Sequence, residues 1–193
     1  MIDEIVSVTA RDGTPIGLRI YRPDGASAVP ALFGASPYRF DNNVLPASPQ
    51  FLWRETGPIE FYVENGYAYV HMDVRGSGRS GGEFEFLGSK EQHDLYDAIE
   101  WVGAQDWCTG KVGGIGQSYF CMLQWFMAAQ APPSLACIGA HDGLADALNS
   151  ATLRDPLSRL PRRSTIPIRD AWRVPRRKVS ATSNGSKRRC PPR

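Results

Sequence analysis

The stretch Gly113-Gly114-Ile115-Gly116-Gln117-Ser118-Tyr119-Phe120 decides how this chain is interpreted. Residues 110–116 form a glycine-rich apolar run that predicts a strand, and residues 118–130 lack glycine and proline and predict a helix. A serine in the sharp turn between strand and helix is typical of a nucleophile elbow, which exposes the hydroxyl at the end of the sheet. The N-terminus of the following helix favours negative charge at the same point. The alternative interpretation of Ser118 is a helix N-cap, which needs only its hydroxyl.

Strand and helix patterns alternate on both sides of this junction. Two strands joined by Asp12-Gly13 predict a hairpin, and further strands and helices follow in turn. A helix starting at Ser89 shows the capping pattern Ser-x-x-Gln and one apolar stripe. The predicted strands are 5–10, 15–21, 29–34, 67–72, 110–116 and 135–140, the helices 59–64, 89 onward and 118–130, and the stripe Leu95, Ala98, Ile99 and Val102. This order predicts an α/β fold with a largely parallel sheet.

Sites in such folds lie where the strands end, and three loops fall there, starting at Ala35, Asp73 and Gly116. Tyr38 follows the third strand, at the place from which hydrolases with such an elbow supply a second oxyanion donor. A phenol donates to an oxyanion as a backbone NH does, although a packing tyrosine is the alternative. The loop at 73–82 lacks the pattern of a dinucleotide or phosphate site, and we expect Asp73 and Arg75 to pair and brace it.

A serine nucleophile needs a base, and the chain has three histidines. His71 falls in a buried strand and is expected in the core, while His93 shares the polar helix face with Asp97 and Glu100. His141 ends the last strand near the expected position of Ser118. Its neighbour Asp142 follows it, which reverses the order of acid and histidine found with such an elbow. The base and the acid therefore stay unassigned.

Charge divides the chain into an acidic body and a basic tail. From residue 154 onward there are 11 Arg and 2 Lys against 2 Asp, a net charge of +11, although the whole chain carries +2. The tail holds six of the 15 prolines and shows neither helical nor strand periodicity. We expect one folded unit over 1–152 and a disordered segment over 153–193.

Composition also limits the location and the chemistry. The cysteines Cys108, Cys121, Cys137 and Cys190 form no Cys-x-x-Cys pair, so free thiols are expected and a zinc site is not. Apolar runs fall short of the roughly 20 residues that a membrane helix needs. The acidic start Met1-Ile2-Asp3-Glu4 is unlike a secretory signal, so a cytoplasmic location is expected, without membrane partners.

Several segments, taken together and in order, resemble the cocaine esterase / X-Pro dipeptidyl-peptidase family of α/β-hydrolases, also called CocE/NonD-type hydrolases. The resemblance covers roughly residues 5–150. The segments that carry it are Arg11-Asp12-Gly13, Tyr21-Arg22-Pro23, Pro37-Tyr38, Asn65-Gly66-Tyr67-Ala68, Asp73-Val74-Arg75-Gly76, Ser80-Gly81-Gly82-Glu83-Phe84, residues 106–113 and Gly116-Gln117-Ser118-Tyr119.

The resemblance implies an α/β-hydrolase fold and a role for each residue of the junction. Ser118 corresponds to the acylated nucleophile, and the Tyr38 hydroxyl and Tyr119 backbone NH correspond to the oxyanion hole. Substrates of the family are small-molecule esters, amides or X-Pro peptides, cleaved through an acyl-enzyme. Such a hydrolase uses no metal or organic cofactor. The basic tail carries no recognition motif or interleaved aromatic set, with Trp172 alone, so specific nucleic-acid binding is not expected.

Two departures from the family pattern stand out. Cys121 occupies the place of the last glycine of G-x-S-Y-x-G, where a larger side chain is expected to strain or shift the elbow. The family's acid, histidine, helical cap and jelly-roll domain follow later in its members, whereas the resemblance here stops near residues 149–152. We therefore expect a truncated or frameshifted member with impaired activity. The alternative is a non-enzymatic remnant whose basic tail binds nucleic acid or anionic surfaces non-specifically.

Overall fold

The computed structural model describes residues 1–25, 27–41 and 55–143, and the predicted tail at 153–193 lies outside them. Within the described part, strands and helices follow one another as the sequence pattern predicts. Their bounds are β1 Ile2–Thr9, β2 Pro15–Arg22, β3 Val29–Ser36, α1 Ile59–Glu64, β4 Ala68–Asp73, α2 Ser89–Gly103, β5 Cys108–Gln117, α3 Tyr119–Gln130 and β6 Leu135–His141.

All six of these strands belong to one sheet in the order β1-β2-β4-β3-β5-β6. Strands β4, β3, β5 and β6 run parallel, while β1 and β2 form an antiparallel hairpin that joins β4. The carboxyl ends of the four parallel strands therefore meet at one edge of the sheet. The loops that start after β3, β4 and β5 all leave from this edge, as the sequence predicts.

The hairpin turn is built as Asp12-Gly13 suggests. Gly13 adopts a φ of 86°, which a glycine accepts without strain. The Asp12 carboxylate accepts a 3.0 Å hydrogen bond from the backbone NH of Thr14 and so closes the turn locally.

The helices cover the sheet because neighbouring residues of a strand point to opposite faces. Val70 of β4 belongs to the core cluster that contains Leu95 of α2 and Leu123 of α3. Tyr69, one residue earlier, stacks on Tyr62 of α1 at a centroid distance of 6.0 Å. The four residues of the predicted stripe on α2 are all buried: Leu95, Ala98, Ile99 and Val102. The stripe prediction is confirmed, and the sheet has helices on both faces.

The capping prediction at Ser89 is wrong by one residue. Gly88 is the N-cap, no side chain caps it, and Ser89 is already helical. The side-chain amide of Gln92 donates to the Leu87 carbonyl at 3.3 Å instead of reaching back to Ser89. The reason is tertiary, since Leu87 is buried at 3% exposure with a φ of 54° and brings the chain into the helix early.

The described cysteines are free thiols, as expected: Cys108, Cys121 and Cys137. Cys190 lies outside the described residues. Of the helices in the described ranges, none has both the length and the apolar character needed to cross a bilayer.

Candidate active site

Ser118 lies between β5 and α3 in a backbone conformation that is rare for a residue with a side chain. Its φ is 54° and its ψ is −118°, and it occupies the N-cap position of α3 without capping the helix through its hydroxyl. Its backbone NH donates a 3.1 Å hydrogen bond to the Asp142 carbonyl oxygen. The N-cap interpretation therefore fails, because the hydroxyl is not used for capping. Such strain is typical of functional positions held by their surroundings.

Gly116 makes the sharp turn possible. Its φ is 131°, and a Cβ at this position would lie 2.4 Å from the Cβ of Phe120. It would also lie 3.1 Å from the carbonyl oxygen of Glu55. A side chain at 116 would therefore collide with the first turn of α3, as the elbow interpretation requires.

Cys121 occupies the place of the family's second glycine, and the structure accommodates it through Gly143. Cys121 is 2% exposed. A Cβ at Gly143 would lie 2.4 Å from both the Cβ and the Sγ of Cys121, and 3.2 Å from the Ser118 carbonyl oxygen. The thiol thus fills space beneath the elbow that a glycine at 143 leaves open. The helix α3 still begins directly after Ser118, at Tyr119.

Tyr38 and Tyr119, the two expected oxyanion donors, lie beside each other. Their ring centroids are 6.1 Å apart in an edge-to-face arrangement, and Tyr38 lies at the same distance from Phe120. The Tyr38 side chain is 43% exposed. Tyr119 is the first residue of α3, and the first NH groups of a helix have no partner within it. The structure therefore brings Tyr38, Ser118 and Tyr119 together.

A buried carboxyl fixes the ring of Tyr119. The Tyr119 hydroxyl donates a 2.9 Å hydrogen bond to Oε1 of Glu91 in the first turn of α2. Burial raises the pKa of Glu91 to about 7, although the Tyr119 hydrogen bond opposes this shift. Burial, followed by the charge of Glu91, raises the pKa of the Tyr119 phenol, which stays protonated. The phenol of Tyr119 is thus a structural group, and its backbone NH remains the candidate donor.

The expected Asp73–Arg75 pair does not form. The Asp73 carboxylate instead accepts backbone hydrogen bonds of 2.9 Å from Phe40 and from Arg79. Burial raises the pKa of Asp73, while these two NH groups oppose the shift. The bond to Phe40 ties the segment that contains Tyr38 to the end of β4, which is how Asp73 braces the site.

Arg75 pairs with carboxylates from two other parts of the fold. Its guanidinium lies 2.6 Å from Asp94 of α2 and 2.9 Å from Asp12 of the hairpin turn. The physical reason is reach, because the long Arg75 side chain extends away from its own loop while Asp73 is enclosed by backbone NH groups. Arg75 therefore joins the hairpin, the loop and α2.

Two histidines lie where the sequence places them. His71 is buried at 7% exposure, with its ring 6.0 Å from Phe40 and 5.2 Å from Phe120. His93 is exposed on α2. His141 ends β6 opposite Gln117, and no hydrogen bond joins it to Ser118. Within residues 1–25, 27–41 and 55–143, no group of three potential ligand side chains is arranged to hold a metal ion.

Glu55 is a site residue that the sequence analysis missed. Its carbonyl oxygen accepts a 2.9 Å hydrogen bond from the backbone NH of Gln117, directly before Ser118. Burial raises the pKa of its carboxyl, the Ser118 side chain lowers it and the charge of Asp142 raises it further. Glu55 belongs to no motif of the junction and lies more than 60 positions away in the chain. Only the fold brings it to the serine.

Known proteins resemble this chain in sequence and in structure. Residues 12–161 match the family described as X-Pro dipeptidyl-peptidase (S15 family). A cocaine esterase from Rhodococcus sp. (strain MB1 Bresler) is 36% identical over 144 residues, which cover 73% of this chain and 23% of the esterase. The chain thus spans about a quarter of the length of that relative.

Solved structures of hydrolases are also similar to this chain. A CocE/NonD family hydrolase from Staphylococcus aureus superposes with a TM-score of 0.66 at 32% identity, covering 76% of this chain and 28% of that protein. An α-amino acid ester hydrolase superposes with a TM-score of 0.62 at 29% identity, covering 76% of this chain and 26% of that one. The fold is therefore that of an α/β-hydrolase, and the chain belongs to the X-Pro dipeptidyl-peptidase (S15) family.

Proposed function

We propose that the chain carries the nucleophile and oxyanion hole of a serine hydrolase that acts on esters, amides or X-Pro peptides. The observation that carries the proposal is the conformation of Ser118. Its φ is 54°, which is rare for a residue with a side chain, and its hydroxyl does not cap α3. A strained serine at the carboxyl edge of a parallel sheet has no evident structural use. The family match supports the same assignment.

In the proposed reaction the Ser118 Oγ attacks the carbonyl carbon of the substrate. The carbonyl oxygen becomes an oxyanion, which the Tyr38 hydroxyl and the Tyr119 backbone NH stabilise. The tetrahedral intermediate collapses to an acyl-enzyme as the alcohol or amine leaves with a proton. Water then attacks the acyl group and releases the acid and the free serine. The chain's own residues supply the nucleophile and the two donors, and the reaction calls for no cofactor.

Prolonged labelling with an excess of a fluorophosphonate tests the assignment, because this reactive phosphorus electrophile modifies a nucleophilic serine in a single step and needs no turnover. We expect one covalent adduct per chain, located on the peptide that contains Ser118 by mass spectrometry, and no adduct in Ser118→Ala. Ser89→Ala is the matched control, since Ser89 is exposed and should leave labelling unchanged. An adduct on another residue, or unchanged labelling of Ser118→Ala, would overturn the proposal.

A second candidate function rests on the charge of the tail alone. The net charge of +11 from residue 154 onward favours non-specific, salt-dependent binding to nucleic acid. Filter binding of DNA should then fall steeply between low and high salt and be lost when residues 154–193 are removed. Binding that persists at high salt would contradict this second function.

A further inference from the structure

Tyr119 combines a candidate oxyanion donor and a buried ring in one residue. It is the first residue of α3, so its backbone NH has no partner within the helix. The residue before it, Ser118, is not helical and has a φ of 54°. The start of α3 therefore receives no support from a preceding helical turn. The ring of Tyr119 is the part of this residue that the rest of the fold can hold, since Tyr119 is only 4% exposed.

The Tyr119 ring is held at its far end by Glu91 of α2. The hydroxyl donates a 2.9 Å hydrogen bond to Oε1 of Glu91, which is 2% exposed. The other carboxyl oxygen, Oε2, is buried and has no hydrogen-bond partner within the described ranges. Such an oxygen costs stability, and an apolar pair of the same shape would avoid that cost. What the pair supplies is direction, because a hydrogen bond shielded from water fixes the place of the phenol.

The same ring supports the second candidate donor. Tyr38 packs edge-to-face on Tyr119 with the ring centroids 6.1 Å apart, and Tyr38 is 43% exposed. Tyr38 also contacts the ring of Phe120, the next residue of α3. Phe86 contacts the Tyr119 ring at 5.7 Å, but Phe86 is 62% exposed and offers little support. A displacement of the Tyr119 ring would therefore move both candidate donors, the NH on its own backbone and the hydroxyl of Tyr38.

We propose that Glu91 is a positioning residue for the oxyanion hole. It holds the Tyr119 ring so that the Tyr119 backbone NH and the Tyr38 hydroxyl point at one oxygen atom. The inference rests on the proposed function, in which these two groups stabilise the oxyanion. Glu91 acts through Tyr119, from the first turn of α2. Donors that are held in place before the reaction need no reorganisation, and small displacements of them lower the rate strongly.

Two matched phosphorus probes test the inference on the full chain: a fluorophosphonate with a P=O group and its analogue with a P=S group. With both probes the bond from Ser118 Oγ to phosphorus forms, the P–F bond breaks, fluoride leaves with the bonding electrons and the hydroxyl proton passes to water. Only the P=O oxygen accepts strong hydrogen bonds from the oxyanion hole, since sulfur is a weak acceptor. The ratio of the P=O labelling rate to the P=S labelling rate therefore measures the oxyanion hole. The folded fraction cancels from this ratio, because both probes react with the same protein.

Glu91→Met removes the acceptor of the hydrogen bond, and Tyr119→Phe removes its donor. Each variant should lower the ratio at least about tenfold, because the oxyanion donors lose their alignment. The double variant should fall no further than either single variant, since the same hydrogen bond is lost in all three. Glu91→Gln keeps an oxygen that accepts from the phenol, so its ratio should stay within about twofold of the wild type. Lys90→Met is the matched control, since Lys90 is exposed beside Glu91 on α2, and it should leave the ratio unchanged.

The outcomes separate this inference from the function on which it rests. A ratio that stays at the wild-type value in Glu91→Met and Tyr119→Phe, while Tyr38→Phe lowers it, would overturn the role of Glu91 and leave the oxyanion hole in place. Losses that add in the double variant, or a ratio in Glu91→Gln as low as in Glu91→Met, would also overturn that role. If circular dichroism shows that Glu91→Met does not fold, Tyr119→Phe decides the question, and an unchanged ratio overturns the inference. Labelling that survives in Ser118→Ala, or a ratio that Tyr38→Phe leaves unchanged, would overturn the proposed function itself.

Discussion

The Tyr119 hydroxyl donates a 2.9 Å hydrogen bond to Oε1 of Glu91, so the residue after the candidate nucleophile is fastened to helix α2. Both side chains are buried, at 4% and 2% exposure. The carboxyl of Glu91 thus holds the side chain of the first residue of α3. The junction that carries Ser118 depends on a titratable group in another helix.

This bond predicts how stability varies with pH. Burial raises the pKa of Glu91 from 4.5 to about 7 in the folded state, so the folded chain holds a proton that the unfolded chain releases. The resulting stability is fully present below about pH 4.5 and is lost as the pH rises through about 7. Measured with urea, the free energy of unfolding of the wild type should fall by on the order of 3 kcal/mol across this pH range, relative to that of Glu91→Gln. Equal pH slopes for the two proteins would contradict the role of Glu91. In Tyr119→Phe the loss should occur at higher pH, since the hydroxyl favours the charged carboxylate.

Catalysis by this chain should be slow. Without a histidine hydrogen-bonded to Ser118 in the described residues, the serine keeps its proton at neutral pH and is a weak nucleophile. We expect little or no hydrolysis of p-nitrophenyl acetate, and the residual rate should disappear in Ser118→Ala. Tyr38→Phe removes one oxyanion donor and should lower that rate by roughly a hundredfold.

Tyr96→Phe serves as the control for Tyr38→Phe, because Tyr96 lies under the Arg11 guanidinium of the hairpin turn. It should hydrolyse the ester at the wild-type rate. Turnover comparable to that of a full-length esterase, abolished by Ser118→Ala, would show that an unidentified base serves Ser118.

Gly116→Ala should destabilise the protein far more than a comparable change in an open turn. Its Cβ would collide with Phe120 at 2.4 Å, and a φ of 131° is strained for alanine. We expect a loss of about 3 kcal/mol in the free energy of unfolding. Gly13→Ala is the control, because Gly13 has a φ of 86° with no atom within 4 Å of its Cβ, and it should lose about 1 kcal/mol. Similar losses for both variants would argue against the steric account.

Cys121 and Gly143 should be coupled energetically. Gly143→Ala should destabilise the fold by about 2 kcal/mol, since its Cβ would overlap the Cys121 side chain. Cys121→Gly alone should cost about 1 kcal/mol, because a buried thiol is lost in addition to some helix propensity. The double variant should be more stable than the sum of the single losses predicts, as measured by chemical unfolding in a double-mutant cycle. Strict additivity would show that the two sites do not touch.

Much of the fold follows from local patterns that are unambiguous in the sequence. Alternating strand and helix periods, together with the turn residues at Asp12-Gly13, define the order of elements from β1 to β6. The direction of β3 to β6 follows from the connecting helices, because such crossovers make neighbouring strands parallel. The serine junction is also local, since Gly116 and Ser118 lie two residues apart.

Pairing between distant side chains depends on the packed fold. Arg75 was expected to bind Asp73 from its proximity in sequence, yet it lies 2.6 Å from Asp94, which packing of α2 brings within reach. The N-cap of α2 is Gly88, directly after the buried Leu87, and not Ser89 as the capping pattern suggested.

The sequence by itself determined the α/β order, the strand–serine–helix turn and the family, because each rests on residues close together in the chain or on motifs in a fixed order. The tertiary structure alone decided that the Glu55 carbonyl oxygen binds the backbone next to the serine, that Glu91 holds Tyr119 and that Gly143 makes room for Cys121. Each of these pairs joins segments more than 20 residues apart. The members of each pair come together only through the packing of helices and loops at one edge of the sheet. No local sequence pattern encodes such a contact between distant segments.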